Sequence, residues 1–478
     1  MVCLVFKFYN TFARKKQAFE SLTPSVAKIY TCGPTTYDFA HIGNFRAYVA
    51  QDLLRRWLEY RGWRVEQVQN LTDVDDKTIK GAQQAKIPLA RYTKRFADAF
   101  FEDCAFLRIE RAEHYPRATE TIPEIIALVQ KLLEKGFAYK SGDGSIYFSI
   151  EKFKKYGALS KTSLEGLKEG ARVAQDSYEK EGAADFALWK AWASEDGDAA
   201  WDAPEPLGKG RPGWHVECSA MAMKFLGETI DVHAGGVDLV FPHHENEIAQ
   251  SEAATGKQFA RYWFHNEHLL VDGRKMSKSL GNFYTLRDVL KKGFSPIAVR
   301  YLLLSAHYRQ QLNFTFASLE AAAAAVERYN ECLRNLKGYA PELGVKADAL
   351  FPKKIGAARK AFEAALDDDL DSSSALAAVF DFVREVNQTL AAKSLGPEQA
   401  ALAIALFEDF EKILALREEK KADAALASWV EAKLVERENA RRKKDFARAD
   451  AIRKEIQDKG VVVEDATRAG GKAKWRLK

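Results

Sequence analysis

Cysteine and long apolar runs are both scarce in this sequence. The five cysteines among 478 residues are widely scattered and odd in number, which argues against a disulfide framework and favours a reducing, cytosolic compartment. No apolar stretch approaches the length needed to cross a bilayer. Near the N-terminus the basic residues follow the short apolar run, which is the wrong order for a secretory signal. We therefore expect a cytoplasmic protein without a membrane segment.

Net charge is small as well, at +5, but it is unevenly placed. Residues 431–478 contain 15 Lys or Arg and 9 Asp or Glu, a balance of +6. An anionic partner is plausible there, although a basic run is more often a solvated face. The chain is too long for one core, so we expect about two to four domains.

Residues 28–71 predict a β-α-β unit. A buried strand at 28–32 is followed by a loop, by apolar residues at helical spacing over 45–62, and by a second strand at 63–71. Such a unit begins a parallel sheet with ligands at the carboxyl ends of its strands. The Gly-, Lys- and Glu-rich stretch 157–213 predicts an insertion with long loops, and from about residue 296 the pattern is almost entirely helical.

The segment GVDLVFPHHENEIAQ places His243 four residues before Glu247, directly after Pro242. Proline is favourable in the first turn of a helix, so we predict that a helix begins there. An imidazole and a carboxylate four residues apart share one helix face and look like half of a metal site. Such a pair is more often a surface contact, and His244 competes with His243.

Cys32 and Cys218 are candidates for the other half of that site. Cys32 ends the first predicted strand, and Cys218 follows the insertion in GRPGWHVECSAM. Zn²⁺ accepts thiolate, imidazole and carboxylate ligands. Buried cysteines are usually small core residues, so spacing alone leaves a zinc site open.

Two further motifs suit phosphate groups. AHIGN sits where a strand turns into a helix, so backbone N–H groups, the helix dipole, His41, Gly43 and Asn44 can bind an anion. In GRKMSKSLGN, Lys275 and Lys278 flank small hydroxyl residues in a loop that can close over a triphosphate. Each motif alone has a bland explanation, a satisfied loop histidine or a solvated basic loop. Together, each after a strand, they predict nucleotide chemistry.

HIGN and KMSKS resemble the two signature motifs of the class I aminoacyl-tRNA synthetases. Within that class, TCGPTTYDFAHIG, GRPGWHVECSAM, FPHHENEIAQS and KMSKSLGN are similar to the cysteinyl-tRNA synthetase family. ALDDDLDSSSALAAVFDFVREVN and RKKDFARADAIRKEIQDKGVVVED resemble that family's helical bundle and anticodon-binding region. Asn44 departs from the usual histidine and cannot hold a proton charge, so we expect ATP binding to survive with altered phosphate contacts.

The resemblance implies an α/β fold, with a Rossmann-like parallel-sheet catalytic domain interrupted by an insertion, all-helical domains and a small C-terminal anticodon-binding domain. The implied bounds are 1–125 and 211–290 for the catalytic domain, 126–210 for the connective insertion, 291–345 for a stem-contact helical linker, 346–422 for the helical bundle and 423–478 for the anticodon-binding region.

Three groups of site residues are implied as well. The ligands of one Zn²⁺ per chain are implied to be Cys32, Cys218, His243 and Glu247. The residues that bind ATP with Mg²⁺ are implied to be His41, Gly43, Asn44, Lys275 and Lys278, all but Gly43 being catalytic. The residues that hold the amino acid are implied to be Gly33, Thr72, Trp214, His233 and Asp238, each of which could instead be ordinary packing.

The implied activity is the joining of L-cysteine to tRNA(Cys) through cysteinyl-adenylate, by a monomer. Zinc–thiolate coordination would select cysteine over serine, because a shaped pocket discriminates poorly between near-isosteres. One alternative is a ligase that joins cysteine to an amino sugar by the same adenylate chemistry, as in mycothiol biosynthesis. Such enzymes lack the anticodon module, so residues 425–478 discriminate. A non-catalytic RNA-binding paralogue should have eroded motifs, and here the motifs are present.

Overall fold

The computed structural model describes residues 5–162, 185–277, 280–340, 346–418, 424–464 and 474–477. The chain divides into two compact units, Met1–Leu416 and Arg417–Lys478. Within the described ranges no helix is both long enough and apolar enough to cross a membrane.

The described strands form a four-stranded parallel sheet, a four-stranded antiparallel sheet and three sheets of two or three strands. They are β1 (Lys7–Asn10), β2 (Lys15–Ala18), β3 (Val26–Thr31), β4 (Arg64–Gln69), β5 (Ala138–Lys140), β6 (Ile146–Phe148), β7 (Phe186–Ala191), β8 (Gly210–Pro212), β9 (Ile230–Gly236), β10 (Ala260–Asn266), β11 (Leu269–Val271), β12 (Arg274–Lys275), β13 (Leu312–Phe314), β14 (Val461–Glu464) and β15 (Lys474–Leu477).

The helices dominate the second half of the chain. They are α1 (Ile42–Tyr60), α2 (Asp76–Ala85), α3 (Leu89–Phe106), α4 (Ile122–Glu134), α5 (Trp214–Leu226), α6 (Glu245–Thr255), α7 (Leu286–Lys291), α8 (Pro296–Leu304), α9 (Phe316–Gly338), α10 (Phe351–Asp367), α11 (Ser372–Ala391), α12 (Pro397–Leu414), α13 (Ala424–Arg442) and α14 (Phe446–Asp458).

The parallel sheet has the strand order β10-β9-β3-β4. Since α1 connects β3 to β4, this part of the chain is the β-α-β unit that the sequence predicts. Parallel strands bring their carboxyl ends to one edge, where ligands bind in folds of this type. Cys32 directly follows β3 at that edge, and Gly236 ends β9 there.

α1 begins at the HIGN motif because the motif caps its own helix. His41 Nδ1 accepts a hydrogen bond from Asn44 N at 3.2 Å, and Asn44 Oδ1 accepts one from His41 N at 3.0 Å. The apolar face, with Val49, Leu53 and Trp57, is buried. The side-chain oxygen of Asn44 is therefore engaged in the cap.

The prediction that a helix begins at Pro242 is confirmed. Phe241 has an extended backbone (φ −141°, ψ 133°) and is the one residue of Val240–His244 whose φ and ψ are not helical. The π-helical turn that contains Pro242 runs directly into the regular helix α6, which begins at Glu245. Proline thus stands in the first turn, where its missing N–H costs nothing.

The insertion contains more regular structure than the long loops predicted for 157–213. β7 and β8 join β5 and β6 in an antiparallel sheet. Residues 163–184 lie outside the described residues. β8 leads directly into α5, so this sheet positions the helix that bears Cys218.

The helical part of the first unit packs around aromatic rings. The sequence predicts an almost entirely helical pattern from about residue 296, and the short strand β13 is an exception to it. The rings that pack against one another belong to Phe362, Phe382, Phe407 and Phe410. The second unit has its own apolar core, which includes Val430, Ile452 and Val461. Its hairpin β14-β15 also departs from the helical prediction.

Candidate active site and metal centre

Two thiols, an imidazole and a carboxylate meet at the carboxyl edge of the parallel sheet. Cys32 follows β3, Cys218 lies on α5, and His243 and Glu247 lie just before and on α6. Their donor atoms all lie within 4.8 Å of one another, and all four side chains are buried. His243 Nε2 is 3.1 Å from Glu247 Oε1, so the pair shares one face of the helical segment that begins at Pro242. The donor types and their spacing fit a zinc ion.

A second set of donors overlaps the first. Cys32, His233, His244 and Glu247 also lie within 4.8 Å of one another. Cys32 Sγ is 3.4 Å from His244 Nε2, and His233 Nε2 is 2.8 Å from Glu247 Oε2. The two sets share Cys32 and Glu247, so they compete for one ion. His243 and His244 are therefore alternative imidazole ligands for the same ion, as the sequence suggests.

Two histidines that the sequence analysis missed support the ring orientations of this cluster. His215 Nδ1 lies 2.8 Å from His243 Nδ1, and His265 Nε2 lies 2.8 Å from His244 Nδ1. His265 Nδ1 in turn lies 2.8 Å from Thr11 Oγ1. A hydrogen bond at one ring nitrogen decides which nitrogen is left for a metal. Neither histidine has a spacing pattern that could have revealed this role.

Charge compensation inside the cluster shifts several pKa values. A hydrogen bond with Cys32 lowers the pKa of Cys218 to about 6, although burial opposes the shift. Burial raises the pKa of Cys32 well above its usual value. Burial also opposes ionisation of Glu247, yet His233 and His243 lower its pKa to about 2. The cluster thus favours an ionised carboxylate and one thiolate, which are the forms that bind a cation.

A cavity of about 370 Å³ joins this cluster to the two phosphate motifs. The donor cluster and the phosphate motifs thus open into one space. Lys278 lies outside the described residues. The predicted site residues that line the cavity are Cys32, Gly33, His41, Gly43, Asn44, Asp238 and Lys275.

The remaining predicted substrate residues, Thr72, Trp214 and His233, are not among those that line this cavity. His233 is engaged with Glu247, and the Trp214 ring lies 4.3 Å from the His243 ring, centroid to centroid. Thr72 Oγ1 donates to Glu217 Oε2 at 3.3 Å. These contacts tie the three residues to the donor cluster and its surroundings.

Asn70 is a further residue that sequence reasoning missed. Its Oδ1 accepts a hydrogen bond from Gly33 N at 2.9 Å, and its Nδ2 donates to Thr72 Oγ1 at 3.2 Å. A Cβ on Gly33 would lie 1.8 Å from Asn70 O, so only glycine fits there. Asn70 therefore sets the backbone that follows Cys32.

The KMSKS segment packs directly on the HIGN turn. A Cβ built on Gly43 would lie 2.9 Å from Met276 Cε and 2.9 Å from His41 Nδ1. After the loop, Ile42 N donates to Tyr284 O at 3.0 Å. The two phosphate motifs, distant in sequence, thus form one surface.

Comparison with solved structures identifies the fold. The methionyl-tRNA synthetase of Mycobacterium tuberculosis, solved with methionyl-adenylate, aligns with a TM-score of 0.57 at 16% identity, covering 81% of this chain and 89% of that one. A putative arginyl-tRNA synthetase from Campylobacter jejuni aligns with a TM-score of 0.56 at 12% identity, covering 84% and 95%. The fold and the paired motifs are those of a class I aminoacyl-tRNA synthetase, which confirms the predicted fold class.

Closer similarity identifies the family within that class. The family described as "tRNA synthetases class I (C) catalytic domain" matches residues 18–324, the DALR domain matches 361–418, and the "Cysteinyl-tRNA ligase anticodon binding domain" matches 423–476. The cysteine–tRNA ligase of Protochlamydia amoebophila is 49% identical, covering 96% of each chain, and that of Chlamydia pneumoniae is 46% identical, covering 98% of each. The chain belongs to the cysteine–tRNA ligase family, as the sequence motifs predict.

Proposed function

We propose that this chain activates L-cysteine with ATP to form cysteinyl-adenylate and transfers the cysteinyl group to the 3′-terminal ribose of tRNA(Cys). The observation that supports this most directly is the buried two-thiol donor cluster beside the cavity that both phosphate motifs line. The family match of the C-terminal unit to an anticodon-binding domain favours tRNA over an amino sugar as the acceptor.

We further propose that Cys32, Cys218, His243 and Glu247 hold one Zn²⁺. This set includes both thiols, and thiolate-rich tetrahedral sets suit zinc. When bound there, the ion would act as a Lewis acid for which a thiolate is a far better ligand than a serine hydroxyl. That difference converts a one-atom change in the substrate into a bond-energy difference, which a shaped pocket alone does not provide.

The residues around the cavity have separate proposed roles in the first reaction. His41, Asn44, Lys275 and Lys278 bind and orient the triphosphate of Mg·ATP, with help from the positive end of the α1 dipole. The substrate carboxylate then attacks the α-phosphate, and pyrophosphate leaves. Asp238 lines the cavity and is suited to hold the substrate ammonium group.

The second reaction needs no protein nucleophile. The terminal ribose hydroxyl of tRNA attacks the adenylate carbonyl, and AMP leaves with the electron pair of the broken acyl–phosphate bond. Gly33, which lines the cavity, is proposed to hold the substrate backbone, and Thr72 to support it through Asn70. Trp214 and His233 support the cluster through their contacts with His243 and Glu247. A monomeric state and a cytosolic location stay predictions.

The test is cysteine-dependent exchange of labelled pyrophosphate into ATP, run beside an identical reaction with serine. We expect exchange with cysteine, at least about 1000-fold less with serine, and charging of tRNA(Cys). Exchange with cysteine but without tRNA charging would favour the amino-sugar ligase, and no exchange would refute both. Elemental analysis of the purified protein should find one zinc per chain.

A further inference from the structure

Arg46, in the second turn of α1, binds a cluster of backbone carbonyl groups. Its Nη1 donates to Leu303 O, and its Nη2 lies 3.2, 2.7 and 3.3 Å from the carbonyl oxygens of Ala306, His307 and Gln310. The side chain is only 2% exposed. Such a contact fixes the backbone of all four residues relative to α1.

The chemistry of this contact requires arginine. The carbonyls belong to the C-terminal end of α8 and to the turn after it, where a helix leaves oxygens without donors and presents its negative pole. A guanidinium group offers several donors in one plane, whereas an ammonium group is a compact point charge. Burial lowers the pKa of Arg46 to about 10, so the side chain remains charged at neutral pH.

The turn that Arg46 holds leads into β13, and β13 pairs with the β11-β12 hairpin that bears Lys275. β13 begins two residues after Gln310 and pairs in parallel with β11, which pairs antiparallel with β12. At the hairpin tip, Gly273 N donates to Asn313 Oδ1 at 2.7 Å, and Asp272 N donates to Phe314 O at 3.1 Å. The position of Lys275 therefore depends on β13, whose own start is fixed by Arg46.

The other end of the KMSKS segment is tied to α1 independently. Ile42 N bonds Tyr284 O, and His41 pairs with Thr285 as an isolated bridge. The segment is thus anchored to α1 after the loop by direct backbone contacts. Before the loop it is anchored through β13 and Arg46.

We propose that Arg46 is a positioning residue. It holds Lys275 at a distance from the start of α1 that allows Lys275 and the HIGN motif to contact the same triphosphate. The residues that line the cavity include Lys275 and the HIGN motif but not Arg46. Arg46 therefore acts through the segment that it holds and not on the nucleotide. This inference rests on the proposed function, because it assumes that the cavity binds ATP.

The first test compares Arg46→Lys with Arg61→Lys in pyrophosphate exchange. A misplacement of about 1 Å costs up to about 100-fold in rate, so Arg46→Lys should lower kcat about 10- to 100-fold. The KM for cysteine and the zinc content should stay unchanged. Arg61 lies at the other end of α1 and binds Asp367, so its lysine variant should stay within about twofold of wild type.

A double-mutant cycle separates positioning from general stability. In a Lys275→Ala background, Arg46→Lys should cost less than about threefold, because the group that it positions is gone. A loss that is as large in that background as in wild type would overturn the proposal. So would a kcat that is the same for Arg46→Lys and Arg61→Lys.

Asn313→Ala tests the same route should Arg46→Lys not fold. Asn313 is exposed and contributes its side chain to the hairpin tip, so its removal leaves the core intact. A loss of kcat that vanishes in the Lys275→Ala background supports the proposal, and an unchanged kcat overturns it.

The proposed function has its own readout in this design. Wild-type exchange with cysteine reports on the proposed function, and the ratios between variants report on Arg46. If wild type showed no exchange, calorimetric titration with Mg·ATP would replace the exchange assay as the measurement that compares the variants. Arg46→Lys should then weaken ATP binding while Arg61→Lys does not, and equal affinities would overturn the inference.

Discussion

Cys218 differs from the other buried cysteines in what surrounds its sulfur. Its pKa falls to about 6 because Cys32 donates a hydrogen bond to it and His243 lies beside it. At Cys104 burial dominates and raises the pKa well above its usual value, and at Cys332 burial raises the pKa to about 12. Among the cysteines that the structure describes, therefore, the thiolate that a metal needs is favoured at Cys218.

Replacing Cys218 by Ser should abolish zinc binding, because a hydroxyl at this position is a far weaker acid than the thiol and a poor ligand for zinc. We expect bound zinc, measured by elemental analysis after dialysis, to fall from one per chain to below about 0.1, with loss of cysteine-dependent exchange. Cys104→Ser makes the same thiol-to-hydroxyl change at a buried site away from the cluster and should retain its zinc. Full zinc in the Cys218 variant would contradict the proposed ligand set.

Replacing Gly43 by Ala should impair ATP binding, since the new Cβ would meet Met276 Cε and His41 Nδ1 at 2.9 Å. The KM for ATP in pyrophosphate exchange should rise about tenfold, equivalent to about 1.4 kcal/mol, while the KM for cysteine stays constant. Gly356→Ala is the matched control, because Gly356 lies in α10 with open space around it. The control should gain about 0.5–1 kcal/mol in stability with unchanged kinetics.

At the scale of secondary-structure elements, segments with a strong hydrophobic period are predictable from the sequence. Short departures from that period are not. α1 was predicted at 45–62 and is observed at Ile42–Tyr60, with the difference at its start explained by the cap between His41 and Asn44. The helix expected at Pro242 begins there, directly after the extended Phe241, whereas the short strands β13, β14 and β15 interrupt a stretch predicted to be almost entirely helical. The four donor residues followed from motif resemblance, whereas His215 and His265 are single residues whose role depends on three-dimensional contacts.

Asp52 on α1 joins several elements through one buried carboxylate. It accepts hydrogen bonds from Arg300 Nη2 on α8 at 2.6 Å and from Arg56 Nε at 2.8 Å, and Arg300 Nε donates to Leu414 O at the end of α12. Burial raises the pKa of Asp52, but the two guanidinium groups outweigh burial and hold that pKa below its usual value.

Asp52→Asn should lower the free energy of unfolding by about 3–5 kcal/mol at pH 7, because Arg300 stays buried without its counter-charge. The folded-state pKa of Asp52 is depressed, so its contribution is fully present above about pH 4 and is lost as the pH falls through the folded value. Urea unfolding at pH 7 and pH 3 should therefore show the gap between wild type and variant narrowing in acid.

Asp98→Asn is the control for that experiment. Asp98 forms an exposed pair with Lys94 on α3, and such pairs contribute about 0–1 kcal/mol. A loss of stability in this variant equal to that of Asp52→Asn would contradict the argument from the buried pair. A gap that widens in acid would contradict the pKa direction.

At the scale of the whole molecule, two units with separate cores imply that the two reactions can be separated. The second unit, Arg417–Lys478, has its own apolar core, and the basic excess of the sequence falls in residues 431–478. In the proposed function, activation of cysteine uses the cavity and the donor cluster, whose residues all belong to Met1–Leu416. Transfer to tRNA needs, in addition, the binding of a polyanion.

Truncation after Leu416 should therefore leave cysteine-dependent pyrophosphate exchange within about twofold of the full chain and lower kcat/KM for tRNA charging at least about 100-fold. Basic residues that contact phosphates release counterions, so the KM for tRNA of the full chain should rise steeply with salt, and that of the truncated chain should rise less. Circular dichroism checks that the truncated chain is folded, and its zinc content should remain one per chain. Equal charging by the two chains would show that the basic unit contributes nothing to tRNA binding, and loss of exchange together with charging would show that the first unit does not act alone.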